Sequence, residues 1–166
     1  ENGGGSFQSA SKAEERSRLW KARHDFYWAS LSLRPGAKAI ATDVCVPVSR
    51  LADCIDETRA DAQAAGLLAP IVGHVGDGNL HYNVFPVQGR SREDHLEDRL
   101  PIKTAIHDLV HELGGSVSAE HGIGRLKVKD LERYSDPAKL SALRAIKAAL
   151  DPNGIMNPGA MFPAPE

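Results

Sequence analysis

The stretch GHVGDGNLHYNVF, Gly73 to Phe85, constrains the fold more than any other segment of this 166-residue chain. Asp-Gly between two apolar runs is a strong hairpin signal, because a type I′ turn needs positive φ at both central residues. With Asp77 and Gly78 as the loop, the pairing predicts Gly76 opposite Asn79, Val75 opposite Leu80, and His74 directly opposite His81. Opposed side chains on paired strands have Cβ atoms about 5 Å apart. The two imidazoles then point the same way, as a shared metal ion requires, and Asn79 and Asn83 fall on their face.

Around the hairpin the pattern predicts helices. Ser11 to Leu33 lacks Pro and Gly and mixes charges with Leu19, Trp20, Phe26, Tyr27 and Leu31, the pattern of a long amphipathic helix that Arg34-Pro35-Gly36 ends. Trp20, Phe26, Tyr27 and Trp28 read as core and partly buried face. Valines alternate at 44, 46 and 48 as in a half-buried strand, and Ser49 is placed to cap a helix reaching Gly66. The hairpin strands are expected over Ala69 to Val75 and Leu80 to Pro86. VQGRSREDHLEDR reads as a polar connection into a helix from Leu100 to Leu113, closed by Gly114-Gly115. SVSAEHGIG reads as a strand running into a glycine-rich turn. The last helix, Pro137 to Leu150, stops at DPNGIMNPG. This order predicts an α+β fold: an antiparallel sheet with helices packed on one face.

The length allows one compact domain or a large fragment of something longer. A net charge of -2 with interspersed signs argues against nucleic acid or an anionic membrane as the main partner. Two cysteines, Cys45 and Cys54, are too few for a disulfide framework and suit a reducing compartment. No run reaches the length of a membrane span, and ENGGGSF carries neither an initiator Met nor a signal peptide, so the native start is expected upstream. Neither a dinucleotide fingerprint nor a P-loop occurs.

The chemistry-bearing residues are His74, His81 and the pair Glu120-His121. Two imidazoles and a carboxylate suit Zn²⁺ or Mn²⁺. The other reading is an exposed cross-strand pair and a solvated carboxylate. Adjacent residues on a strand point to opposite faces, so Glu120 and His121 serve one ion only if the Gly122 turn bends the chain. His121 beside an activated hydroxyl could act as a general base, or could cap a turn. Arg23, in WKARH, suits a substrate carboxylate through its two-pronged donors. Helical arginines mostly face solvent, and the same holds for Lys38 after the Pro-Gly break. Asn79 could orient a ligand or serve the turn.

Taken in order, LWKARHDFYWASLSLRPG, TDVCVPVSRL, GHVGDGNLHYNV, SAEHGIGRLK and LDPNGIMNPG resemble the C-terminal part of the FAD-linked oxidases of the vanillyl-alcohol oxidase type. They look most like the cytochrome-linked D-lactate dehydrogenase branch, with glycolate oxidase flavoprotein subunits and D-2-hydroxyglutarate dehydrogenases as relatives. The resemblance covers nearly the whole chain. It implies that residues 1–166 are a substrate or cap domain, a partial ferredoxin-like unit plus a C-terminal helical segment, and that the FAD-binding domain is absent from the chain. It implies that His74, His81 and Glu120 bind a divalent metal, Zn or Mn, and that His121 is the base. Arg23 would hold the carboxylate of a small 2-hydroxy acid, with Lys38 and Asn79 in the substrate site and Asn157 near the flavin. Hydride would pass to FAD, and the electrons on to cytochrome c, a quinone or an electron-transfer flavoprotein. The expected location is cytoplasmic or peripheral to the inner membrane, mitochondrial in a eukaryote.

Within that resemblance, Ala41-Thr42 ahead of Asp43, where the hydroxyglutarate enzymes carry a basic residue, and Arg23-His24, which looks like the lactate branch, imply a small 2-hydroxy acid rather than a dicarboxylate. Ala160 stands where family members often carry Lys. The chain alone is expected not to turn over substrate, and to self-associate as a homo-oligomer through surface left uncovered. A different reading is a free-standing metal- or carboxylate-binding α+β module without redox activity. A third, a metal-dependent hydrolase, lacks a carboxylate base beyond Glu120.

Overall fold

The computed structural model describes residues 7–37, 39–87, 89 and 92–163, and for 92–100 the backbone course alone. Along the chain run α1 (Ala13–Ser32), β1 (Ile40–Ala41), β2 (Val44–Cys45), α2 (Leu51–Ala64), β3 (Ile71–His74), β4 (Asn79–Val84), α3 (Arg92–Glu112), α4 (Val128–Tyr134) and α5 (Pro137–Leu150). Central β4 pairs antiparallel with β3 along one edge and with β1 and β2 in succession along the other. The α+β class is as read from the sequence.

Period-two alternation divides β4 between two environments. Leu80, Tyr82 and Val84 are buried among Val44, Leu51, Cys54, Ile106 and Val110, so α2 and α3 cover the apolar face. The buried Tyr82 hydroxyl donates to the Cys54 carbonyl at 3.3 Å. Asn79, His81 and Asn83 point the opposite way. There α1 packs: Asn83 Nδ2 donates to Ser30 Oγ at 3.1 Å. Leu19, Arg23, Phe26 and Ser30, spaced by three and four residues, form its inward stripe. Trp20, Tyr27 and Trp28 are therefore exposed rather than core, because they fall outside that stripe.

The hairpin register differs from expectation by two residues. His74 faces Asn79, and Val72 faces His81. Val75 to Asp77 form a 3-10 turn and Gly78 follows in the left-handed region, φ 67°, so four residues make the loop rather than two. The neighbouring chain imposes this: Val46 N–H donates to the Gly78 carbonyl at 3.0 Å, and a Cβ on Gly78 would lie 2.0 Å from the Val46 carbonyl oxygen. A slip of two keeps every side chain on its face. His74 and His81 thus share a face as diagonal rather than opposed neighbours.

Other boundaries move for local reasons. The valine alternation ends at Pro47, with Val44 and Val46 buried and Val48 exposed. A 3-10 turn over Val48–Arg50 precedes α2, and exposed Ser49 caps nothing: the residue before α2 is Arg50, which makes no side-chain cap bond. Helix α3 begins at Arg92 and contains Pro101, so REDHLEDR is helix rather than connection. Its Arg, Glu and Leu are good helix formers, and that preference extends the helix through the proline. Residues 116–119 form no strand. They touch the sheet by one bridge, Ser116 to Cys45, because the backbone turns toward Asp43. Lys38 lies outside the described residues.

Candidate functional site

The site begins where β1 and β2 part. Thr42 keeps the ladder closed: its N–H donates to the Tyr82 carbonyl at 3.0 Å, and its Oγ1 accepts the Tyr82 N–H at 3.0 Å. The next residue, Asp43, meets the segment after Ser118. Its Oδ1 accepts the Glu120 N–H at 3.0 Å, and its Oδ2 accepts the His121 N–H at 3.0 Å and the Lys127 ammonium at 2.8 Å. Burial alone would raise the Asp43 carboxyl; Lys127 and the two N–H groups outweigh it and bring the pKa down to about 2.

This bent backbone, turning at Gly122 with φ 73°, lets Glu120 and His121 reach one place as regular strand geometry could not. One ligand atom each of Asp43, His81, Glu120 and His121 lies within 4.8 Å of the others. His81 Nδ1 lies 3.0 Å from the Thr42 carbonyl, which only accepts, so Nδ1 carries the hydrogen. Nε2 then faces Glu120 Oε1 at 2.7 Å. That pair is either a charge-assisted bond of an imidazolium or two donor atoms side by side toward a cation. His121 Nε2 is 3.7 Å from the same carboxylate oxygen. The His81 side chain is 13% exposed, Glu120 46% and His121 69%, so the cluster opens to solvent at one side.

His74 stands outside this cluster. Its Nε2 accepts from the Arg23 guanidinium at 3.3 Å, and Trp20 lies beside its ring. Arg23 is therefore not solvent-facing. Its buried Nε and the buried Oδ1 of Asn79 have no hydrogen-bond partner among the described residues. Such orphaned groups are costly unless a ligand or water completes them. His74, Asn79 and His81 share one face of the hairpin, which Arg23 reaches through His74 and Glu120 through His81, and these polar groups make up one patch.

Asn157 lies in the C-terminal segment, at φ 47°, in an open cavity of about 620 Å³ shared with Asp151, Gly154 and Phe162. The segment returns to the glycine turn: Met161 N–H donates to the Gly124 carbonyl at 2.7 Å. Sequence reasoning missed Asp43 and Lys127 as parts of the site. The residues they join are more than 75 positions apart, and no spacing signals that.

A family model of the FAD linked oxidases, C-terminal domain, matches residues 1–161. The chain is 42% identical over 162 residues to the probable mitochondrial D-lactate dehydrogenase of Danio rerio, covering 98% of this chain and 32% of that protein. It is 36% identical over 163 residues to a mitochondrial D-lactate dehydrogenase (cytochrome) of Arabidopsis thaliana, covering 96% and 28%. A D-2-hydroxyglutarate dehydrogenase of Stutzerimonas stutzeri is 40% identical over 92 residues, covering 55% and 20%. The chain thus spans a third or less of the length of these relatives. Among solved structures, 4-ethylphenol oxidase from Gulosibacter chungangensis, in its isoeugenol complex, shares the fold with a TM-score of 0.60 at 20% identity, over 95% of this chain and 32% of that one.

Proposed function

The chain belongs to the FAD linked oxidases, as their C-terminal domain, and from that premise we propose that it is the substrate- and metal-binding part of a flavin-dependent D-2-hydroxy-acid dehydrogenase. The observation that carries this reading is the convergence of His81, Glu120 and His121 at one end of a patch where Arg23 and Asn79 keep unpartnered polar atoms. Relatives named for D-lactate and D-2-hydroxyglutarate supply the substrate class. FAD would be held mainly by the part of such proteins that the match to this chain does not span, with Asn157 contributing from this side.

Arg23 grips the substrate carboxylate through paired N–H donors. Asn79 offers its free Oδ1 to the same molecule. His81 and Glu120 fit a Zn or Mn ion by donor chemistry, since the Thr42 carbonyl fixes the ring so that Nε2 is the free donor. His74 Nε2, which Arg23 occupies here, would be a further ligand once Arg23 turned to a carboxylate. Such an ion would supply acidity to the substrate hydroxyl. His121 receives the hydroxyl proton. One C–H and one O–H bond would break and the carbonyl of a 2-oxo acid would form, FAD supplying the acceptor for the α-hydrogen and its electron pair. Relatives named for a cytochrome point to that class as the final electron acceptor. Mitochondrial relatives suggest that location, and among the described residues no helix is long and apolar enough to cross a membrane.

Metal content after exhaustive dialysis tests the site. Near-stoichiometric Zn or Mn in the chain, lost in His81→Ala, is the expected result, and no metal in either would remove the metal half of the proposal. Flavin bleaching by D-lactate in the chain joined to its flavin-binding portion tests the reaction. No bleaching with any 2-hydroxy acid would overturn it.

A further inference from the structure

We propose that Asp43 is the positioning residue of this site, its carboxylate holding the Glu120-His121 turn against the sheet with Lys127 as counter-charge. Its consequence for metal binding rests on the function proposed above; the clamp itself rests on geometry alone. Four facts converge on it. Asp43 occupies the break between β1 and β2, where Thr42 closes the ladder with its own hydroxyl and frees the next residue to face away from β4. Both carboxylate oxygens are taken, by two consecutive backbone N–H groups and an ammonium, with Ser118 Oγ at the outer limit of 3.5 Å. The Asp43 carbonyl accepts the Ala119 N–H at 3.2 Å, so the approach to the turn is tied as well. Residue 42 meanwhile orients His81 through its carbonyl. Two consecutive residues, 42 and 43, thereby orient all three donors, His81, Glu120 and His121.

Proximity alone would also allow Asp43 to be a fourth ligand. Its bonding argues against that. A cation at Oδ2 would have to displace the His121 N–H or sit beside the Lys127 ammonium 2.8 Å away, which repels it. The Asp43 side chain is 6% exposed and that of Lys127 14%, so water cannot screen the repulsion well. Lys127 also ends the loop, one residue before α4, and α4 is tied to α3 through Asp130 with Lys103 and His107. The turn is thus anchored at both ends to rigid elements.

The two roles diverge at Lys127, which can ligate nothing as an ammonium. If Asp43 positions, Lys127→Met loosens the turn and weakens binding; if Asp43 ligates, Lys127→Met frees Oδ2 and binding holds or tightens. The experiment compares the chain with Asp43→Asn, Lys127→Met, Lys127→Arg and Asp151→Asn, each checked for folding by circular dichroism. Hydrogen exchange at the Glu120 and His121 amides is read in metal-free buffer, and Zn²⁺ affinity by competition with a chelating dye. Asp43→Asn and Lys127→Met are expected to speed exchange at those amides on the order of tenfold or more. They should weaken Zn²⁺ by about 10- to 100-fold, as loss of a group orienting a ligand does. Lys127→Arg, which keeps the charge, and the remote Asp151→Asn should leave both readings near the parent values. Unchanged amide exchange, or Zn²⁺ held as tightly by Lys127→Met as by the parent, overturns the proposal. A parent chain that binds no Zn²⁺ counts against the metal site, while the amide exchange still decides the role of Asp43. Should Asp43→Asn fail to fold, the two Lys127 variants decide it.

Discussion

Asp43 and Asp151 each accept two consecutive backbone N–H groups and a lysine ammonium, yet they join very different lengths of chain. Asp43 binds residues 77, 78 and 84 positions away. Asp151 binds Ile155 and Met156 N–H at 2.9 and 3.0 Å and Lys147 at 2.6 Å, none more than five positions off. Both carboxyls are held below the usual range, Asp151 chiefly by the Lys147 ammonium, Asp43 by Lys127 and the N–H groups against its own burial. The local clamp forms as soon as α5 ends and merely shapes the turn that follows. The remote clamp forms only when the sheet and the 118–127 loop have met, and it then holds a loop that no regular element supports. Lys147 is 35% exposed and can return to water; Lys127, at 14%, cannot do so freely.

Truncation should separate the two most strongly. Asp43→Ala leaves the part-buried Lys127 ammonium and two part-buried N–H groups without a partner and should cost about 3 kcal/mol in urea unfolding, the low end of the range for a broken buried pair. Asp151→Ala should cost clearly less, and equal losses would break the comparison. Acid should give the next effect. The native Asp43 pKa of about 2 lies below the ordinary 3.8 of a free Asp, so its stabilisation is fully present above 3.8 and is lost as pH falls from there through about 2. A lowering of this size corresponds to about 2 kcal/mol. Unfolding free energies measured from pH 5 to 2 should fall more steeply for the parent than for Asp43→Asn; parallel curves would deny the clamp its charge. Salt should give the smallest effect. At 1 M NaCl screening acts within about 3 Å, so the stability difference between parent and Asp151→Asn should shrink while that for Asp43→Asn persists.

The same contrast runs through the rest of the molecule. Helix α5 is legible because its signals are adjacent: Asp136 accepts the Ala138 and Lys139 N–H groups, and Pro137 opens the first turn. The hairpin was legible as a hairpin from Asp77-Gly78, but its register was not, because Val46, over thirty positions earlier, fixes Gly78. Trp20 and Trp28 looked like core, since a helix of mixed composition does not announce which stripe turns inward. His81, Glu120 and His121 are candidates from residue type alone, but no spacing joins position 81 to position 120. The bend that lets the last two act together turns at Gly122, which the sequence marks, but it is held by Asp43 and Lys127, residues with no local mark.

The sequence by itself determined the features written within a few residues: both ends of α5, the C-terminal ends of α1 and α3, the side-chain alternation of β4, the left-handed Gly78 and the closing turn after α5. Each depends on hydrogen bonds or steric preferences that neighbours complete without help. Only the tertiary structure decided the hairpin register, the face taken by α1, and the assembly of Thr42, Asp43, His81, Glu120, His121 and Lys127. Those contacts form only after long loops close, and burial then lets a carboxylate and an ammonium hold them together.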